Sequence, residues 1–170
     1  MKTIILPGYS PKNKLWALKA KKHLEVKDEV IVHEWRHWRG ILKGMNISYE
    51  VKSILKKISG KKVNIIAKSV GTRISMIITS ENFSLINKII LCGIPTKGKS
   101  KSAIEIYTSG LKNINPENVI CIQNNKDPLA NFEVVDRFIK SINPMIETVK
   151  KPRNDHDYPF FEDFRFFLNK

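Results

Sequence analysis

The segment Val63-Asn-Ile-Ile-Ala-Lys-Ser-Val-Gly71 runs directly into Thr72-Arg-Ile-Ser-Met-Ile-Ile78, and the two halves carry different periods. Val63 to Ala67 is a short apolar run rich in β-branched residues, the pattern of a buried parallel strand. Beyond it, Val70, Ile74, Ile77 and Ile78 fall at i, i+4, i+7 and i+8, one face of a helix. Ser69 therefore sits at the apex of a sharp strand-to-helix turn. Such a turn brings two backbones almost into contact, so it needs small residues two before and two after the apex. Ala67 and Gly71 fill those positions.

The resulting Ala-x-Ser-x-Gly motif differs by one methyl group from the nucleophile elbow G-x-S-x-G. It resembles the α/β-hydrolase superfamily, and some small lipase-like members are similar in having alanine at the first position. On its own the motif is short, and a serine that only caps a helix after a strand would look much the same.

The rest of the chain alternates strand and helix signals. Lys2–Leu6, Glu29–His33, Leu85–Cys92, Asn118–Gln123 and Met145–Val149 read as further strands. Trp16, Ala20 and Leu24 mark a first helix. Ile47, Val51, Ile54, Leu55 and Ile58 mark a second, with Asn46 as its cap and Gly60 as its end. Ile104, Tyr107 and Leu111 suggest a helix after the fourth strand; Phe132, Val135, Phe138, Ile139 and Ile142 line another. Phe160, Phe164, Phe167 and Leu168 face a last one. Strict alternation of this kind means a parallel sheet covered on both faces, with chemistry in the loops at the strands' carboxyl ends.

Two of those loops hold the residues that extend the resemblance. Asp127 stands four residues past Gln123, and His156 lies just before the final helix. The chain order Ser69, Asp127, His156 is that of the α/β-hydrolase triad. A serine hydroxyl needs a base to take its proton, and neutral imidazole suits pH 7. A carboxylate behind the imidazole fixes its tautomer and stabilises the imidazolium. The resemblance further implies an oxyanion hole from the backbone N–H groups of Tyr9 and Val70. It departs from the family at Asn124 and Asn125, where glycine is common, and at Lys68, where histidine or glutamine is frequent. Asp155 and Asp157 stand as alternative acids.

Two other motifs compete. Gly93-Ile-Pro-Thr-Lys-Gly-Lys-Ser100 matches the phosphate-binding G-x-x-x-x-G-K-[ST], with Lys99 and Ser100 as the ligand-facing residues. It stands past mid-chain, has threonine at Thr96 where glycine is usual, and lacks an obvious magnesium-binding aspartate. His33-Glu-Trp-Arg-His-Trp38 offers two histidines, but not on a clear helix, so no metal site is expected. Trp35 and Trp38 read instead as a rim near the substrate entrance or a cover for the sheet's edge.

The 170 residues suit one domain, and the net charge of +14 comes mainly from lysines scattered over the helices. Scattered lysine with little arginine argues against specific nucleic-acid binding, while leaving room for anionic substrates or acidic partner surfaces. No apolar run approaches a membrane span, and the stretch before Pro7 is short for a signal peptide. Cys92 and Cys121 lie in strand-like runs and read as buried free thiols, which points to the cytoplasm.

The expectation is an α/β fold of one domain over residues 1–170 without a cap. Its three α/β/α layers enclose a six-stranded parallel sheet of order 2-1-3-4-5-6. The function the resemblance implies is cofactor-free cleavage of a small carboxylic ester or thioester by Ser69, Asp127 and His156. The alternatives are a P-loop-like nucleotide binder and a hydrolase-fold binding module without catalysis. Oligomeric state is not readable from this sequence.

Overall fold

In the computed structural model, residues 1–25, 29–40, 44–96 and 101–170 are described. Six strands form the sheet: β1 (Lys2–Leu6), β2 (Glu29–Val32), β3 (Val63–Lys68), β4 (Ile86–Cys92), β5 (Val119–Asn124) and β6 (Glu147–Lys151). All pair in parallel, in the order β2-β1-β3-β4-β5-β6. The helices are α1 (Asn13–His23), α2 (Ile47–Ile58), α3 (Val70–Asn82), α4 (Lys101–Lys112), α5 (Phe132–Ile142) and α6 (Phe161–Asn169).

The two-residue period of the strands separates the core into two layers. Ile4, Ile65, Ile89 and Cys121 point toward α2, α3, α4 and α5. Ile5, Ile66, Ile90 and Ile122 point the other way, onto Trp16 of α1 and Phe164 of α6. The central strand β3 is buried along its whole length, which accounts for its largely apolar sequence. Its polar Asn64 is satisfied across the sheet, donating to Thr3 Oγ1 and accepting from Asn87. Among the described residues, no helix is long and apolar enough to cross a membrane.

Several expectations need correction: β2 stops at Val32 rather than His33, and β5 runs Val119–Asn124 because Asn118 belongs to a 3₁₀ turn. The last strand is Glu147–Lys151 rather than Met145–Val149. Asn143 caps a turn by accepting from the N–H of Met145, and two lysines of low β-propensity complete the edge strand by pairing with Gln123 and Asn124. Leu85 belongs to a 3₁₀ turn, Phe83–Leu85, so β4 begins at Ile86. Trp35 is no rim residue: it is fully buried.

Candidate active site

The turn after β3 is strained. Ser69 has φ 55° and ψ −119°, a positive φ that a side-chain-bearing residue rarely adopts. Its N–H donates to Cys92 O at 2.9 Å, pinning the turn to the end of β4. Its carbonyl accepts from the N–H and hydroxyl of Thr72, at 2.9 and 2.6 Å. Gly71 shows why this backbone admits no larger residue: a Cβ there would lie 2.1 Å from Leu6 O. The crossing of α3 over β1 thus fixes glycine at this position, as the motif required.

Asp127 and His156 meet. His156 Nδ1 lies 2.6 Å from Asp127 Oδ2, and the carboxylate is fully buried. An ionised carboxylate only accepts, so Nδ1 carries the proton and Nε2 is left as the acceptor. Nε2 is itself buried and has no hydrogen-bond partner among the described residues. No hydrogen bond joins it to Ser69 here. Both groups nonetheless converge on the end of β4. A Cβ on Gly93, the residue after Cys92, would lie 2.9 Å from His156 Cε1.

The other two carboxylates have other partners. Asp155 pairs with Arg153, and Asp157 lies 3.4 Å from Lys68 Nζ. Asp127 alone of the three carboxylates bonds the imidazole. Burial by itself would raise the Asp127 pKa. Hydrogen bonds from His156, Tyr158 and the Leu129 N–H outweigh that and hold the carboxyl below its usual range.

Two residues that sequence reasoning missed build this arrangement. The Tyr158 hydroxyl donates to Asp127 Oδ2 at 2.5 Å and accepts from the Asn124 N–H at 3.2 Å. Burial first, and then its bond to Asp127, raise the phenol's pKa, so it stays protonated as a donor. Asn124 Nδ2 donates to the carbonyls of Asp155 and Asp157, each at 2.8 Å, clamping the loop on both sides of His156. The asparagine that departed from the family pattern therefore has a bonding role a glycine could not fill. The signal for Tyr158 was its place two residues past the histidine, an aromatic with a polar end that needs a partner when buried.

Tyr9 lies on a loop held from one side. Trp35 Nε1 donates to Pro7 O and Gly8 O at 3.2 and 3.1 Å, and Trp38 Nε1 donates to Tyr9 O at 2.7 Å. The Tyr9 ring stacks on His37, with centroids 4.4 Å apart. In a trans peptide the N–H points opposite to the preceding C=O. Holding Gly8 O toward Trp35 therefore turns the Tyr9 N–H away from that indole. The Val70 N–H opens α3 and is among the donors that a helix start leaves without an intrahelical partner.

Lys68 also proves to be part of the site's frame. Its ammonium is nearly buried, bonded to Asn13 Oδ1 at 2.9 Å and to Asp157 at 3.4 Å, above the ring of Trp16. It is the residue before the serine, and it ties the elbow to the first residue of α1 and to the loop of His156. Desolvation lowers its pKa, partly offset by Asp157.

His33 and His37 do not converge on one point. Buried His33 donates from Nε2 to Glu50 at 2.7 Å and faces Lys57 Nζ through Nδ1 at 3.0 Å. Among the described residues, no group of three His, Cys, Asp or Glu stands where it would hold a metal. Of the phosphate-loop motif, residues 97–100 lie outside the described residues. Its first glycine, Gly93, packs against His156 and Tyr158.

No family model matches this chain, and no curated protein matches it in sequence. Solved structures do match in shape. XC6422 from Xanthomonas campestris, an α/β serine hydrolase without a lid, is 15% identical with a TM-score of 0.72 over 99% of this chain and 78% of that one. Est1E from Butyrivibrio proteoclasticus, solved with ferulic acid bound, gives 12% and 0.70 over 99% and 88%. The ydeN gene product of B. subtilis gives 13% and 0.67 over 99% of each chain. The fold is that of the α/β-hydrolases, and the chain resembles a small, cap-less one.

Proposed function

We propose that this chain is a serine hydrolase that cleaves a carboxylic ester or thioester through an acyl-enzyme. Ser69 Oγ attacks the carbonyl carbon while His156 Nε2 takes its proton. Asp127 stays ionised at neutral pH and stabilises the imidazolium that forms. The N–H groups of Val70 and Tyr9 receive the oxyanion, each such donor contributing about 10²–10³ in rate. His156 then protonates the leaving alcohol or thiol, and water repeats the sequence to release the acid. The Ser69–His156 bond is made as substrate binds, since catalytic hydrogen bonds tighten in the complex.

The observation that carries this reading is the orientation of His156. Its Nδ1 is committed to buried Asp127, Nε2 has no partner among the described residues, and both His156 and the positive-φ turn at Ser69 abut the end of β4. The two buried free thiols support a reducing, cytoplasmic setting. The test is mass spectrometry after brief exposure to p-nitrophenyl acetate. One acetyl group on the Ser69 peptide is expected, and acetylation only of lysines would overturn the assignment.

A further inference from the structure

Helix α1 is unlike the other helices in its charge. Of the six α-helices among the described residues, it alone carries no aspartate or glutamate. Trp16, Ala17 and Ala20 face the core. The opposite face presents Leu15 and Leu18, which are 60% and 47% exposed. At 100° per residue, Lys22 falls between these leucines, and Lys12, Lys14, Lys19 and Lys21 flank them. Among the described residues, Lys14 is the one of these lysines with an ion-pair partner, Glu34. An ordinary solvated helix puts its charges outermost. Here two leucines share that place with Lys22 inside a ring of cations, a mixed apolar and cationic surface that suits a charged interface.

The face also borders the candidate site. A groove of ≈ 550 Å³, lined by Lys12, Leu15, Trp16, Lys19 and Asp157 among others, runs to the residue next to His156. Trp16 Nε1 ties α1 to the same loop by donating to Tyr158 O at 2.8 Å.

We propose that the outer face of α1 docks on an anionic lipid surface. Leu15 and Leu18 enter the headgroup boundary, and the surrounding ammonium groups meet phosphate oxygens. A soluble anion would gain nothing from the two leucines. A nucleic acid would find neither arginine nor an exposed aromatic platform on this face. Docked this way, the protein holds the groove and the His156 loop at the interface, where an ester-bearing lipid is presented. That consequence rests on the proposed hydrolase reading; the docking itself does not.

The experiment is co-sedimentation of the full chain, carrying Ser69→Ala, with phosphatidylglycerol vesicles and with phosphatidylcholine vesicles. Binding to the anionic vesicles at low salt, released by high salt, is expected. Each lysine near an anionic surface raises partitioning about fivefold, so Lys19→Gln with Lys22→Gln lowers it roughly 25-fold. Leu15→Ser with Leu18→Ser lowers it by about tenfold or more. The matched change on α2, Lys52→Gln with Lys56→Gln, leaves it within about twofold. Absence of binding at low salt would overturn the proposal. So would equal losses from the α1 and α2 pairs, which would assign binding to the overall charge. Indifference to the leucine changes, with inorganic phosphate competing, would overturn it in favour of a soluble-anion site. Ser69 acetylation in the otherwise unaltered chain reports on the hydrolase reading independently of all these outcomes.

Discussion

Removing one oxygen, in Tyr158→Phe, tests how the acid of the candidate triad is held. The hydroxyl donates to Asp127 Oδ2 at 2.5 Å and accepts from the Asn124 N–H at 3.2 Å, with Tyr158 fully buried. A hydrogen bond to a charged group contributes about 1.5–3 kcal/mol, and an orphaned buried donor costs about 1–3 kcal/mol. The two losses share one oxygen and the site relaxes, so a destabilisation of about 3 kcal/mol is expected at pH 7. The pH dependence follows from Asp127. Its folded pKa is depressed below 3.8, so its contribution is present above that value and fades as pH falls through the folded pKa. Without the phenol's hydrogen bond, that depression shrinks. The gap between wild type and variant should therefore be widest at pH 7 and narrow toward pH 3. Urea unfolding across that range measures it. A gap below about 0.5 kcal/mol at pH 7, or one that stays constant with pH, would refute the reasoning.

Gly71→Ala must separate α3 from β1 by nearly an ångström, because the new Cβ would sit 2.1 Å from Leu6 O. A loss of about 3 kcal/mol or more in urea unfolding is expected, and an unchanged midpoint would contradict the close approach. Lys68→Met keeps the packing over Trp16 but uncouples the elbow from the start of α1 and from the His156 loop. Stability should change by about 1 kcal/mol or less, while acylation of Ser69 slows more than about tenfold. Acylation at the full rate would remove Lys68 from the frame. Burial lowers the His33 pKa from 6.5, and only the neutral ring both donates to Glu50 and accepts from Lys57. Stability should accordingly fall as pH drops below 6.5, and the midpoint-against-pH slope between pH 7 and 5 should flatten in His33→Gln. Burial raises the pKa of both cysteine thiols, that of Cys121 to about 12, so a thiol reagent should titrate neither until the chain unfolds.

The sheet was legible because its signals are local. Strand β3 is largely apolar and β-branched, and Val70, Ile74, Ile77 and Ile78 repeat with the helix period, so strand, turn and helix follow from neighbours in sequence. The site was legible only as order. Ser69, Asp127 and His156 could be placed on three loops, and the choice among Asp127, Asp155 and Asp157 depended on contacts the sequence does not encode locally. What escaped entirely were residues acting across long sequence separations. Asn124 clamps carbonyls more than thirty positions away, and Trp35 reaches back to Pro7 and Gly8. A tryptophan in a loop segment reads as surface until something shows that its indole N–H has buried carbonyls to satisfy. The β6 boundary slipped for a related reason. Lys150 and Lys151 extend an edge strand through backbone pairing, which their side chains do not announce.

The central claim is that Ser69 is an activated nucleophile served by His156 and Asp127. Labelling by a fluorophosphonate probe tests it most directly, with the intact chain set beside Ser69→Ala, His156→Gln and Lys99→Ala. The account predicts stoichiometric labelling of the intact chain and of Lys99→Ala, loss of labelling in Ser69→Ala, and strong slowing in His156→Gln. A folded intact chain that takes up no probe, or labelling that survives Ser69→Ala, would contradict it.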